Sequence, residues 1–234
     1  HEVRLIDCIA GYHLNPWTCG IAKFNAILAR RLDLPVVRIG SLELARYRRP
    51  LLSLKMSEFS AEDALALDTW IERQAGEFEL FLHAFDNTAL ETRMLSAAAR
   101  VSCGTRELFE PLKPARPDIV VAFCPGTLLN PQRFDDTEVK VFTFGMAHKI
   151  RVPLYRRLLE LLEATGKTYS VFVSTALHEN TSFDDSFVVR FEELQSIFNG
   201  RVYFMGYLSD TAAFTHIDAC TILPEFFERR WHAN

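Results

Sequence analysis

Glycine is sparse where nucleotide-binding chains need it most. The 234 residues include 10 glycines, and no two of them stand in G-x-G spacing. No G-x-x-x-x-G-K-[ST] loop occurs either, so a dinucleotide-binding fingerprint and a P-loop are both excluded. Positive charge is also in deficit: 26 Lys and Arg against 30 Asp and Glu give a formal net charge of -4, which leaves no basic footprint for nucleic acid. The five cysteines, Cys8, Cys19, Cys103, Cys124 and Cys220, are odd in number, scattered and without a C-x-x-C pair. Neither a disulfide framework nor a zinc site follows from them, and a reducing cytosol is the expected compartment. No apolar run reaches the roughly 18 residues of a membrane helix, and the first residues lack the charged-then-apolar build of a signal peptide.

What is present is an ordinary globular composition, 49% apolar and 24% charged, with a clear alternation of element types. Apolar, β-branched runs predict strands over Val3–Ala10, Val36–Ile39, Phe78–Ala84, Ile119–Phe123, Lys140–Phe144, Ser170–Ser174 and Val202–Met205. Segments of helical period fall between them, over Ile21–Leu32, Ala61–Ala75, Leu90–Ala99, Pro153–Thr165 and Asp185–Phe198. Alternation of this kind predicts an α/β fold with parallel sheets covered on both faces. Ser60 is placed to cap one helix and Gly166 to stop another. The stripe Leu154, Leu158, Leu161 and Leu162 reads as a core face. A Pro- and Gly-containing polar stretch from Pro125 to Thr137 marks a boundary near Asp136. Two domains are expected, residues 1–136 and 137–234, the second with three or four strands and therefore incomplete.

The stretch Asn15-Pro-Trp-Thr-Cys-Gly-Ile-Ala-Lys-Phe-Asn25 joins the first strand to the first helix. A glycine at such a handover lets the backbone approach a ligand closely, and the helix start adds unpaired N–H groups with partial positive charge. Gly20 therefore serves either as a plain turn or as part of an anion site. Trp17 reads as a packing lid, with a stacking platform as the alternative. His83, at a strand end, is placed to hydrogen-bond a sugar hydroxyl or to serve as a structural histidine. Asp86 is placed to cap the helix that follows. Gly145-Met-Ala-His-Lys-Ile-Arg151 repeats the strand-then-glycine pattern, and Lys149 and Arg151 are either diphosphate partners or solvated loop charges. Arg46-Tyr47-Arg48-Arg49 reads as a solvated loop, with a phosphate or anionic-membrane contact as the alternative.

Taken in order, Gly20-Ile-Ala, His83, Ala98-Ala-Arg-Val-Ser-Cys-Gly-Thr-Arg-Glu-Leu, Pro117-Asp-Ile-Val-Val with Pro125-Gly, and Val139–Lys149 before an Arg- and Leu-rich helix resemble glycosyltransferases of the GT-B fold. The closest likeness is to family four, the group-one type. The resemblance implies two Rossmann-like domains and transfer of a sugar from a nucleotide-diphosphate sugar to a saccharide or lipid-linked acceptor. It further implies no metal and no cofactor beyond that co-substrate, retention at the anomeric carbon, and a cytoplasmic place with possible peripheral membrane contact. By position it assigns Gly20, Ile21, Lys149 and Arg151 to the donor phosphates, His83 to the transferred sugar as the catalytic residue, and Asn15, Trp17 and Lys23 to the acceptor or sugar side. The chain departs from the family in three places. Cys19-Gly20 replaces a glycine pair, Met146 stands where an arginine is usual, and no E-x7-E pair occurs. A fragment is one expectation from these departures; a non-catalytic GT-B-like module that binds a sugar or nucleotide is another.

Overall fold

The structure is a computed structural model that describes residues 6–41, 43–122, 137–144, 150–175, 185–208, 220–222 and 224. These fall into two compact units, one ending at Ala122 and the other beginning at Thr137. The boundary expected near Asp136 lies outside the described residues.

The first unit runs β1 (Cys8–Gly11), α1 (Gly20–Leu32), β2 (Val36–Arg38), β3 (Pro50–Leu54), α2 (Ala61–Arg73), β4 (Glu79–Leu82), α3 (Ala89–Ala97), β5 (Arg100–Cys103), α4 (Arg106–Leu112) and β6 (Val120–Val121). Its six strands are all parallel, in the order β2-β1-β3-β4-β5-β6. Every residue of β1 and β3 is buried, as a strand covered on both faces requires. Side-chain direction alternates along each strand. Ile9, Leu51 and Phe81 therefore meet Phe24, Leu28 and Ala29 of α1 on one face. Their neighbours Ala10, Leu52 and Leu80 meet Leu67 and Ile71 of α2, Met94 and Leu95 of α3, and Leu108 of α4 on the other. Each fully buried leucine or isoleucine contributes about 1.5–3 kcal/mol.

The chain leaves β1 toward β2 through α1, then crosses back to β3 on the other side of β1. The direction of winding thus reverses between β1 and β3. At such a switch point the connections part at the carboxyl ends of the strands and leave a crevice.

The second unit has β7 (Glu138–Thr143), α5 (Val152–Ala164), β8 (Thr168–Thr175), α6 (Asp185–Ile197) and β9 (Val202–Tyr207), with the parallel order β7-β8-β9. Its core joins Val139, Val141, Val171 and Val173 to Tyr155, Leu162, Phe187, Leu194 and Phe198. Gly206 at φ +68° sits where the β8–β9 register slips by one residue, a bulge that accepts a hydrogen bond from Ser174 Oγ at 3.0 Å.

Three elements are absent from the sequence-based prediction, namely β3, β5 and α4. Pro50 opens β3 at its first residue, where no ladder N–H is needed, and so is compatible with a buried strand. The leucine stripe of α5 is only partly inward: Leu162 is buried, whereas Leu154 and Leu161 are exposed and Val152 and Tyr155 take their place in the core. Ser60 caps α2 as expected, and Gly166 follows α5 at φ +65°. The cap of α3 is Thr88 rather than Asp86. Its hydroxyl accepts the Glu91 N–H at 3.2 Å, and the Glu91 carboxylate reaches back to the Thr88 N–H at 2.9 Å, a capping box.

Candidate functional site

The turn before α1 is built by Asn15. Its carbonyl accepts the N–H groups of Thr18 at 3.4 Å and Cys19 at 3.2 Å, and its side-chain Oδ1 accepts the Trp17 N–H at 3.0 Å. This local hydrogen bonding delivers the chain to Gly20, where α1 starts with an extended Cys19 as N-cap. Cys19 makes no side-chain cap and the first turn carries no acid. The positive end of a 13-residue helix is thereby left without a negative side chain of its own. A Cβ placed on Gly20 would meet nothing within 4 Å, so the space beside these amides is open. Trp17 is 58% exposed, too open for a packing lid, and Lys23 Nζ stands 6.0 Å from its ring centre. Asn15, Trp17, Gly20, Ile21 and Lys23 are thus gathered around one turn.

His83 follows β4 on the same face as α1. Its Nε2 shares a 2.8 Å hydrogen bond with Ser53 Oγ of β3, and its ring packs edge-on against Phe24 at 4.8 Å and beside Phe81 at 4.9 Å. Burial pushes its pKa down to about 4, so the imidazole is neutral at physiological pH and acts through hydrogen bonds. Ser53 is completely buried, as is Asn25 of α1, whose Nδ2 donates to the Ser53 carbonyl at 3.4 Å. Gly11 makes this arrangement possible, since a Cβ there would lie 2.7 Å from Asn25 Nδ2.

The Oδ1 of Asn25 has no partner. Leaving a buried acceptor unpaired costs about 1–3 kcal/mol. Two further buried polar atoms share this state, Thr18 Oγ1 and Ser41 Oγ, and together they complete the set among the described residues. All three lie at or beyond the carboxyl ends of β1 and β2, in the connections that flank the switch point. The sequence gives no sign of Ser53, Thr18, Ser41 or Gly11. Asn25 ends the stretch that holds Gly20, and only the packing of α1 on β3 reveals its inward direction.

The other sequence candidates are dispersed. Arg151 belongs to the second unit, where it is the N-cap residue of α5 and its carbonyl accepts the N–H groups of Leu154 and Tyr155. Lys149 lies outside the described residues. Within Arg46–Arg49, the backbone N–H groups of Arg48 and Arg49 donate to Asp7 and the Arg49 side chain pairs with Glu79 at 3.2 Å, which withdraws Arg49 from any charged patch. Among the described residues no disulfide joins Cys8, Cys19, Cys103 and Cys220, and burial pushes the Cys8 thiol up to about 12. Among the described residues no three His, Cys, Asp or Glu side chains converge as metal ligands, and no helix is long and apolar enough to cross a membrane.

No protein-family model and no curated protein sequence matches the chain. Solved structures do. A lipopolysaccharide outer core galactosyltransferase, WaaB in its apo form, superposes with a TM-score of 0.55 at 12% identity over 94% of this chain and 73% of its own. The Gap123 glycosylation-associated protein complex from Streptococcus agalactiae gives 0.44 at 13% identity, over 75% of this chain and 37% of that one. TarM gives 0.43 at 10%, over 69% and 39%. At these identities the likeness to the galactosyltransferase is one of fold, and the fold is α/β with parallel Rossmann-like sheets of the GT-B glycosyltransferase type.

Proposed function

We propose that this protein is a glycosyltransferase that moves a sugar from a nucleotide-diphosphate sugar to an acceptor hydroxyl, without a metal ion and with retention at the anomeric carbon. The observation that carries the reading is the convergence at the switch point. There an uncapped helix start, a neutral His83 and the unpaired Asn25 Oδ1 stand on the sheet edge where α/β folds bind ligands. In this reading the α1 amides and Gly20 face the departing diphosphate, and negative charge that grows on the leaving group is met by fixed dipoles. Lys149 and Arg151 are the proposed cationic partners of the diphosphate. His83, uncharged, hydrogen-bonds a hydroxyl of the transferred sugar, while Asn15, Trp17 and Lys23 border the acceptor. The reaction is cytoplasmic, and Arg46 and Arg48 supply the remaining cations for peripheral contact with an anionic membrane.

A second reading, a non-catalytic sugar- or nucleotide-binding module, is favoured by Met146 in place of an arginine and by the lack of an E-x7-E pair. Calorimetry with a panel of nucleoside diphosphates tests the site, and turnover of the matching nucleotide sugars separates the two readings. Weak nucleotide binding is expected in the wild type. Gly20→Val adds bulk only to open space, so it should fold normally yet lower the affinity about tenfold, as should Lys149→Ala. Unchanged affinity in both variants removes the nucleotide from this site.

A further inference from the structure

Ser53 is a polar residue on an apolar face of the first sheet. It alternates with Leu51 along β3, stands opposite Phe81 of β4 in the ladder and is completely buried. His83 lies two residues beyond Phe81 and so points to the same face. A serine on a strand commonly returns its hydroxyl to a backbone carbonyl. Ser102 of β5 does so toward Leu80 at 3.4 Å, and Ser174 of β8 toward Gly206 at 3.0 Å. Ser53 does not. Among the described residues its Oγ has a single partner, His83 Nε2 at 2.8 Å, while its carbonyl accepts Asn25 Nδ2 at 3.4 Å.

This one contact leaves two ways to place the hydrogens, because the ring is neutral and carries a single N–H. In the first, Nε2–H donates to Ser53 Oγ. The serine hydrogen is then stranded without an acceptor in a fully buried place. In the second, the Ser53 hydroxyl donates to Nε2 and the ring hydrogen sits on Nδ1. Among the described residues Nδ1 has no partner, yet it is not one of the three buried unpaired atoms. It is therefore open to solvent, where water or a ligand oxygen takes its hydrogen. The second arrangement strands no donor, and buried donors without an acceptor are rare and costly.

We propose that Ser53 is a positioning residue that locks His83 in the Nδ1–H tautomer, so that His83 presents a hydrogen-bond donor to a ligand oxygen and is barred from acting as a base. That the oxygen belongs to a transferred sugar rests on the function proposed above; the tautomer does not. Nδ1 already bears a hydrogen, and the Nε2 lone pair is occupied by Ser53. An oxygen lone pair fits such a donor, whereas an ammonium or amide N–H is rejected. The direction of the donor is fixed as well, since Phe24 of α1 packs edge-on to the ring at 4.8 Å and Phe81 of β4 lies beside it at 4.9 Å. Three elements thus aim one N–H bond, and Ser53 chooses which nitrogen carries it.

The test is the two-bond proton–nitrogen NMR spectrum of isotope-labelled full-length chain at pH 7, with the His83 signals identified by their loss in His83→Phe. Nδ1 is expected at the position of a protonated ring nitrogen and Nε2 at that of an unprotonated one, the reverse of the form that histidine prefers in water. In Ser53→Ala the Nε2 signal should move, because its donor is gone; Ser53→Thr keeps the hydroxyl and should keep the wild-type pattern. A protonated Nε2 in the wild type, or an Nε2 signal unmoved in Ser53→Ala, would overturn the proposal, and the wild-type spectrum decides alone where a variant does not fold. Calorimetry with UDP, ADP and GDP and with their glucose esters separates this from the transferase reading. Ser53→Ala should weaken binding of the sugar ester about tenfold and leave the nucleoside diphosphate unchanged. Equal weakening of both would overturn the positioning role. Binding of neither class by the wild type would remove the transferase reading, while the Nδ1–H spectrum would still support Ser53 as the residue that sets the His83 tautomer.

Discussion

Protonation of His83 is the perturbation with the best-defined energetic consequence. In the unfolded chain the imidazole titrates near 6.5, and in the fold burial holds it down to about 4. The unfolded state therefore binds more protons between these two values, so stability is fully present above pH 6.5 and is lost as pH falls toward 4. At about 1.4 kcal/mol per tenfold change in proton affinity, the whole interval is worth roughly 3 kcal/mol, of which about 2 kcal/mol is lost between pH 7 and pH 5. Urea unfolding at pH 7 and pH 5 measures this when wild type is compared with His83→Phe. The variant leaves the Ser53 hydroxyl unpaired and starts less stable, but its loss between the two pH values should be smaller by about 2 kcal/mol, because the titrating group is gone. The comparison cancels every other carboxylate and histidine. Parallel losses in the two proteins, or an NMR titration that puts the His83 ring near 6.5, would refute the buried neutral imidazole and the hydrogen-bonding role built on it.

Gly11→Ala forces a Cβ to within 2.7 Å of Asn25 Nδ2; a destabilisation of about 1–3 kcal/mol is expected by thermal or urea unfolding, and a neutral effect would show that Asn25 is free to move. Glu91→Ala removes the acceptor of three donors in the β4–α3 connection. It should cost about 2–4 kcal/mol by urea unfolding; an effect below about 1 kcal/mol would show that the connection holds without that carboxylate.

The sheet of the first unit was legible where strands lie in continuous apolar runs. Glu79–Leu82 falls within the predicted run Phe78–Ala84, and Cys8–Gly11 overlaps the predicted Val3–Ala10 and ends one residue later, at Gly11. Pro50–Leu54 stayed hidden behind four residues of which three are arginines and an initial proline, although Arg49 turns out to be committed to Glu79. Arg100–Cys103 opens on an arginine and holds a serine between its two buried residues, and Arg106–Leu112, at 7 residues with Pro111 inside, is too short to show a period. The Gly20 turn could be singled out because a glycine at a strand-to-helix handover has a local meaning. Ser53 and Asn25 could not, since their importance arises from a meeting of residues 28 positions apart.

The opening that a switch point leaves in an α/β sheet owes its existence to the route of the backbone. Where the chain turns back past its own first strand, the connections on the two sides must diverge, whichever side chains they carry. Substitutions can therefore retune what enters the opening far more readily than they can close it. The place where such a fold opens is thereby set by the wiring of its strands, whatever side chains line it.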